Sequence, residues 1–312
     1  MPNWKILITD GLDESGLAIL RPVGRVDEHN GIDPQELLSR ISGYDAIIVH
    51  GRTKVTSQLL ESAANLKVIG RAGVGVDNID LQAAKAHGVA VVNTPQATCL
   101  AVAELTLGLI LSLARSIPRA DLSMKAGLWI KKEFLGVEIN AKTLGIIGMG
   151  HIGAAVAQRA AAMEMSVLGY DPFLPDDVIA ARDAQPVSLA ELYARSDFIS
   201  LHVPLTAQTK DLIDARALEQ MKAGVYLVCT ARGGIVDEEA LAGALESGKV
   251  AGAALDVFAQ EPPGASLLVN NPAVIATPHI GAQTVEAQAR AARDIASEVL
   301  AALQGQPLRW KV

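Results

Sequence analysis

The sequence predicts an α/β fold of two doubly wound parallel-sheet domains, one inserted into the other. Three observations predict it. Ten short, apolar, β-rich runs recur along the 312 residues. Helical patterns lie between most of them, and strand–helix alternation with strands apolar on both faces marks buried parallel sheets. A glycine-rich turn, Gly148-Met149-Gly150-His151-Ile152-Gly153, stands at mid-chain, although such turns often open a domain.

The first group of strands is KILIT (5–9), AIIVH (46–50), KVIG (67–70) and VAVVN (89–93). Between the first two, PQELLSRI (34–41) reads as a helix, with Leu37, Leu38 and Ile41 at helical spacing. A break falls near Pro95, and a long apolar helix begins at about Cys99 and runs to Arg115. The second group is TLGII (143–147), SVLGY (166–170), FISLHV (198–203), VYLVC (225–229), AALDV (253–257) and VIAT (274–277). DEEALAGAL (237–245) is a helix among them. Ten strands are too many for one tidy doubly wound sheet and suit two. The last helix, 284–303, follows the final strand and needs a surface to cover. It is read as returning to the first domain, which gives 1–97 with 285–312 as one domain and 98–284 as the other. That insertion accounts for a glycine turn at mid-chain.

Composition narrows the function. The length suits two domains, each able to bury a core. Hydrophobic residues at 50% and charged residues at 20% belong to a compact globular protein. A net charge of -7 argues against a nucleic-acid binder, while leaving room for a local basic pocket. Two cysteines, Cys99 and Cys229, are too few for a disulfide framework and read as reduced thiols of a cytoplasmic protein. The start, MPNWKILITD, is a short strand and not a signal peptide. The longest apolar stretch, 100–113, contains Glu104 and is shorter than a membrane span. No membrane partner and no metal-ligating set is expected.

The glycine turn carries the first chemistry. It follows the strand 143–147; Gly148 permits the tight turn, Gly150 a close approach of backbone to pyrophosphate, and Gly153 close packing of helix on strand. Ala154 to Ala157 open a helix whose N–H groups and dipole favour an anion, and His151 is expected as a loop residue beside the pyrophosphate. Asp171 ends the next strand about 20 residues on, where a carboxylate accepts hydrogen bonds from the adenosine ribose and repels a 2′-phosphate. The expectation is a Rossmann domain that binds NAD rather than NADP.

Three later strands each end in polar residues, and in open α/β sheets ligands lie outside the carboxyl ends of strands. Arg232 can hold a carboxylate bidentately and polarise a carbonyl. His279 carries an imidazole suited to taking a proton from an alcohol near neutrality. Glu261 can orient that imidazole and favour its protonated form. Singly, Arg232 also fits a surface ion pair, Glu261 a turn cap before Pro262, and His279 a loop histidine after Pro278. Together, after a dinucleotide fold, they read as a hydride-transfer set.

The chain resembles the D-isomer-specific 2-hydroxyacid dehydrogenases. The matching stretches are GRAGVGVDNID (70–80), NTP (93–95), AELTLGLILSLAR (103–115), LGIIGMGHIG (144–153), ARGGIVDEEAL (231–241), AGAALDVFAQEPP (251–263) and TPHIGAQT (277–284), which cover most of the chain. The resemblance implies a Rossmann NAD domain inserted into a discontinuous flavodoxin-like substrate domain. It maps Arg232, Glu261 and His279 onto the catalytic trio and Asp256 onto the acid that meets the nicotinamide carboxamide. It adds His151, Ile152, Pro204, Thr230, Ala231, His279 and Gly281 to the cofactor contacts. It maps Val74 and Gly75 onto the loop that holds the substrate carboxylate, and glycine-rich backbone N–H groups suit an anion. It also implies a homodimer or higher homo-oligomer, with part of the 99–115 helix in the interface.

Within the family the likeness is greatest to members acting on 3-phosphoglycerate, but the substrate positions depart from them. His50 and Gly51 stand where an arginine and a serine are usual, with Arg52 beside them; Thr98-Cys99 and Gln283 also differ. His50, Arg52, Lys54 and Lys131 remain as cations for a second anionic group, Lys131 as a possible contribution from a partner subunit. The expected substrate is a small anionic 2-hydroxyacid, 3-phosphoglycerate first and 3-sulfolactate second, with glycerate third. A non-catalytic NAD(H)-sensing corepressor is the rival of another class. The end of the sequence at Val312 leads to the expectation of no serine-sensing regulatory domain.

Overall fold

A computed structural model describes residues 3–312. The chain forms two compact units, one of residues up to Cys99 together with Ala282–Val312, the other Leu100–Gly281.

In the first unit, β1 (Trp4–Ile8), β2 (Gly24–Glu28), β3 (Ala46–Val49), β4 (Val68–Arg71) and β5 (Ala90–Val92) form a parallel sheet in the order β2-β1-β3-β4-β5. That is the flavodoxin-like order. Its two faces bury separate apolar clusters, one around Leu7, Ile47 and Ile69, the other around Ile6, Ile8 and Ile48. The helix Val285–Leu303 covers the second face through Ile295, Ala296 and Val299. Thr284 caps it by accepting from Ala287 N–H. Gly70 lets it come close: a Cβ there would lie 2.6 Å from a Val299 methyl.

In the second unit, β6 (Thr143–Ile147), β7 (Ser166–Tyr170), β8 (Gln185–Pro186), β9 (Phe198–Leu201), β10 (Val225–Cys229), β11 (Val250–Leu255) and β12 (Val274–Ala276) form a parallel sheet in the order β12-β11-β10-β9-β6-β7-β8. Read from β6, this is the Rossmann strand order with a seventh strand added. Leu107, Ile110 and Leu113 of the helix Cys99–Arg115 pack on one face with Val156 and Phe198. Among the described residues no single helix is long and apolar enough to cross a membrane.

The ten expected strands all form. Two further strands, β2 and β8, carry no apolar run: GRVDE is charged and partly exposed, and β8 has two residues. Both lie at sheet edges, where only one side is paired and apolar character is not required.

Candidate active site

The register of the second sheet builds the site. Ile147 pairs with Tyr170 and Leu201, Leu201 with Cys229, Cys229 with Leu255, and Leu255 with Ala276. The residues that follow, Gly148, Asp171, His202, Thr230, Asp256 and Thr277, therefore form one row at the carboxyl edge.

Gly148 has φ +93, and a Cβ on it would lie 2.6 Å from the His202 carbonyl oxygen. Only glycine makes this turn against the neighbouring strand. At Gly153 a Cβ would overlap the Gly148 carbonyl oxygen. A Cβ at Gly150 meets nothing within 4 Å, so the space above the helix N-terminus is open. The helix spans His151–Ala162 with Gly150 as its N-cap. His151 is thus the first helical residue and not a loop residue, because the chain turns helical as soon as Gly150 lends its carbonyl to Ala154 N–H at 3.0 Å. Asp171 accepts from Met149 N–H and from Phe173 N–H, each at 3.0 Å. It braces the glycine turn and keeps further lone pairs as acceptors. Ile152 follows His151 in the first helical turn. An open anion cradle at a helix N-terminus with a carboxylate beside it fits a dinucleotide.

Arg232 and Thr230 lie just beyond β10, and Pro204 follows β9. Thr230 and Thr106 share a buried hydrogen bond at 3.0 Å, which fixes the end of β10 against the 99–115 helix. Arg232 donates to the Ala231 carbonyl at 2.7 Å. Next to it, Gly233 passes against the carbonyl of Phe258, with no space for a Cβ. The Arg232 loop is thereby packed on the segment leading to Glu261. Burial pushes the Cys229 thiol up to about 11, which leaves it a packing residue.

Glu261 and His279 meet directly, Nδ1 to Oε2 at 2.8 Å. A carboxylate accepts only, so Nδ1 carries the hydrogen and the neutral ring keeps its lone pair on Nε2. Glu261 is held in turn by Phe258 N–H on Oε1 at 3.2 Å. Both partners are open to solvent, with side chains 39% and 49% exposed. The arrangement presents an oriented proton acceptor at the edge of the sheet. Among the described residues no metal-ligating cluster of His, Cys, Asp or Glu forms.

Sequence reasoning missed His202. Its Nε2 is 2.7 Å from Ser200 Oγ, while Nδ1 is buried without a hydrogen-bond partner. Burial pushes the ring down to about 3. Alternation along β9 puts Ser200 and His202 on one face, but nothing in the sequence shows that the face is closed.

In the first unit, His50, Gly51 and Arg52 follow β3 and line a cavity of about 610 Å³ with Asp10, Asn30 and Gln283. Sequence reasoning also missed Asp10. Its carboxylate accepts from His50 N–H at 2.8 Å, Thr53 N–H at 3.1 Å, Thr53 Oγ1 at 2.7 Å and Arg52 Nε at 3.2 Å. Burial opposes its charge, but the Thr53, His50 and Arg52 hydrogen bonds prevail and hold the carboxyl below its ordinary range. Burial, with the Arg71 guanidinium second, pushes the His50 imidazole below its ordinary value. Val74 is tied by Asn93 Nδ2 to its carbonyl at 2.7 Å, and the neighbouring Gly73 carbonyl accepts from Thr94 N–H at 2.9 Å, so the stretch leading to Gly75 is ordered. Lys54 and Lys131 are exposed.

Residues 107–281 match the family model described as D-isomer specific 2-hydroxyacid dehydrogenase, NAD binding domain. The chain is 48% identical over 303 residues to a D-3-phosphoglycerate dehydrogenase of Methanocaldococcus jannaschii, covering 97% of this chain and 58% of that protein. The chain spans about half the length of the curated relatives it matches. Among solved structures it is similar to a glyoxylate reductase from Paecilomyes thermophila, with 34% identity, a TM-score of 0.91 and coverage of 100% and 99%. It is also similar to an Aquifex aeolicus D-lactate dehydrogenase complexed with NAD and lactic acid, with 33% identity, a TM-score of 0.85 and 96% of each chain covered.

Proposed function

The chain belongs to the D-isomer specific 2-hydroxyacid dehydrogenases, and from that premise we propose that it oxidises a small anionic 2-hydroxyacid to the 2-ketoacid with NAD. The observation that carries the reading is the His279–Glu261 contact at 2.8 Å, on loops that leave the same sheet edge as the glycine turn. Bound NAD supplies the acceptor for the hydride that leaves C2. His279 Nε2 takes the hydroxyl proton, and in reverse the protonated ring returns it to the ketone. Glu261 holds the ring in the required tautomer and stabilises its cation. Arg232 holds the substrate carboxylate, and a guanidinium beside the ketone oxygen polarises the carbonyl; in the first unit the Val74–Gly75 backbone N–H groups suit an anion. Asp256 would meet the nicotinamide carboxamide of the bound cofactor. His151, Ile152, Pro204, Thr230, Ala231 and Gly281 complete the cofactor contacts, and His50, Gly51 and Arg52 face the substituent on C3. Residues 98–284 serve as the NAD domain and 1–97 with 285–312 as the substrate domain.

3-Phosphoglycerate is the first substrate proposed, in keeping with the relative's name. A specific observation favours a second, 3-sulfolactate. Arg52 is already engaged by Asp10 at 3.2 Å, so the cavity has less free positive charge than a phosphate dianion calls for, and a sulfonate carries one charge. The assay is NADH oxidation with 3-phosphohydroxypyruvate, 3-sulfopyruvate, hydroxypyruvate and pyruvate. His279→Ala is expected to lower turnover by about two to four orders of magnitude, with NADH affinity nearly intact. Turnover unchanged in that variant removes His279 from its role, and NADH binding without turnover of any acid favours a corepressor.

The apolar side chains Ile117, Leu122, Met124, Trp129 and Leu135, 51–96% exposed, together with Leu100 on the long helix, suit burial against a second copy of the chain. A homodimer is therefore proposed, and a monomer mass by light scattering refutes it. Free, buried Cys99 and Cys229 suit the reducing cytoplasm.

A further inference from the structure

We propose that Asp256 is the positioning residue for His279, a role that rests on the dehydrogenase reading and is separate from any contact of Asp256 with the cofactor. Asp256 follows β11 and is 1% exposed. A buried carboxylate needs donors around it. It finds three, all from the chain segment that carries His279: Thr277 Oγ1 at 2.6 Å and Ile280 N–H at 2.8 Å on one oxygen, and Gly281 N–H at 2.8 Å on the other. The Asp256 carbonyl accepts His279 N–H at 2.9 Å. The turn 277–281 is therefore wrapped around one side chain, with His279 at its centre.

The backbone of that turn shows why it needs an anchor. His279 has φ +53, a left-handed conformation that suits glycine and that other residues adopt only at an energetic cost. Such a residue persists only where its surroundings over-determine it. Glu261 fixes the ring through Nδ1 but holds nothing of the backbone. The backbone is held by Asp256 at residues 279, 280 and 281, and the Thr277 side chain ties the start of the turn to the same carboxylate. Space is matched too: a Cβ on Gly281 would come within 3.2 Å of the Asp256 oxygen that accepts the Gly281 N–H and 3.3 Å of Val102. Glu261 itself lies five residues beyond Asp256, so both halves of the His–Glu pair hang from the end of β11. Loss of the Asp256 anchor releases the turn and separates Nδ1 from Glu261.

Asp256→Asn is nearly isosteric and isolates the effect. Either amide orientation turns an N–H₂ against a donor, Gly281 N–H or the Ile280 and Thr277 pair. The expected result is a fall in kcat, measured at saturating NADH, of about 100-fold, since a displacement of ~1 Å has that effect on rate. The deuterium isotope effect on kcat with a 2-deuterated hydroxyacid rises as the hydride step becomes slower. Thr277→Val, which removes one donor and leaves the carboxylate, changes the same quantities in the same direction by a smaller factor and serves if the asparagine variant fails to fold. A readout independent of turnover is the ¹⁵N-histidine NMR spectrum: the Nδ1–H signal absent in His279→Ala shifts or broadens in Asp256→Asn and weakly in Thr277→Val. An Nδ1–H signal unchanged in both variants overturns the proposal. So does NADH binding weakened tenfold or more with kcat at saturation preserved, which makes Asp256 a cofactor contact alone. Absence of turnover in the unaltered protein overturns the dehydrogenase reading, and the NMR comparison then still decides whether Asp256 holds the turn.

Discussion

Replacing Asp171 by alanine tests the cofactor side of the site by a difference between two ligands. The carboxylate keeps acceptor capacity beyond its bonds from Met149 N–H and Phe173 N–H. A hydrogen bond to a charged acceptor contributes about 1.5–3 kcal/mol. Two ribose hydroxyls, shared with the backbone donors and partly open to water, bring the loss for NAD to about 2–3 kcal/mol, or about 30- to 150-fold in affinity. For NADP the sign reverses. A 2′-phosphate dianion at about 4–5 Å from a carboxylate is repelled by about 2 kcal/mol at the dielectric of water, and alanine removes that term. Loss of the brace on the glycine turn weakens both cofactors alike and cancels in the ratio. The ratio of kcat/KM for NADH to that for NADPH, measured with one ketoacid, is therefore expected to fall by about 10³. A ratio that stays within threefold of the unaltered protein refutes the assignment of Asp171 to the ribose.

Gly153→Ala places a methyl group against the Gly148 carbonyl; overpacking of this kind costs about 1–3 kcal/mol, a loss of about 2–10 °C in the melting of the second unit, and an unchanged melt refutes the close helix–strand contact. His202, pushed down to about 3 by burial from an ordinary 6.5, is neutral in the folded state while the unfolded chain binds a proton below 6.5. Stability from this residue is therefore complete above that pH and is lost as pH falls, by about 2 kcal/mol between pH 7 and 5. Urea midpoints at the two pH values check it, and the same pH dependence in His202→Asn counts against it. Asp10→Asn loosens the His50–Thr53 turn and is expected to raise the ketoacid KM about tenfold while leaving NADH affinity alone; a changed NADH affinity with an unchanged KM refutes that division.

The fold was legible wherever a strand is buried on both faces. AIIV at 46–49 and FISL at 198–201 are fully buried and stand out as apolar runs. GRVDE at 24–28 does not, because it has a single apolar residue, Val26, and its place is set chiefly by backbone pairing with β1, register Trp4 with Gly24 onward. The glycine turn was legible because each of its residues answers a local steric demand. The start of its helix was placed at Ala154 and lies at His151. Helix onset depends on which carbonyl first accepts an i+4 N–H, and residue type only biases that choice.

The site divides along the same line. Arg232, Glu261 and His279 could be picked out because each carries reactive chemistry in a segment that leaves a strand. Asp10, His202 and the donor role of Thr277 could not, because their importance lies in what they touch. Thr277 matters only because its hydroxyl is 2.6 Å from Asp256, and the register that brings β11 and β12 side by side is not written in either segment.

That contrast has a physical basis in the solvent exposure of the two layers. The Glu261–His279 pair is open, with Glu261 39% and His279 49% exposed, whereas Asp256, which holds the turn, is 1% exposed. An open acceptor is needed for a substrate to approach and for protons to leave to water. An open anchor would have its hydrogen bonds exchanged with water and would hold the turn weakly, because a hydrogen bond gains strength as the local dielectric falls. Access and rigidity thus place opposite demands on burial, and the chain meets both by putting the reacting groups at the tips of the loops that leave β11 and β12 and their support at the strand ends beneath. Sequence patterns carry the reacting groups, whose chemistry is intrinsic to residue type. The supporting layer becomes visible only when the strands are laid side by side.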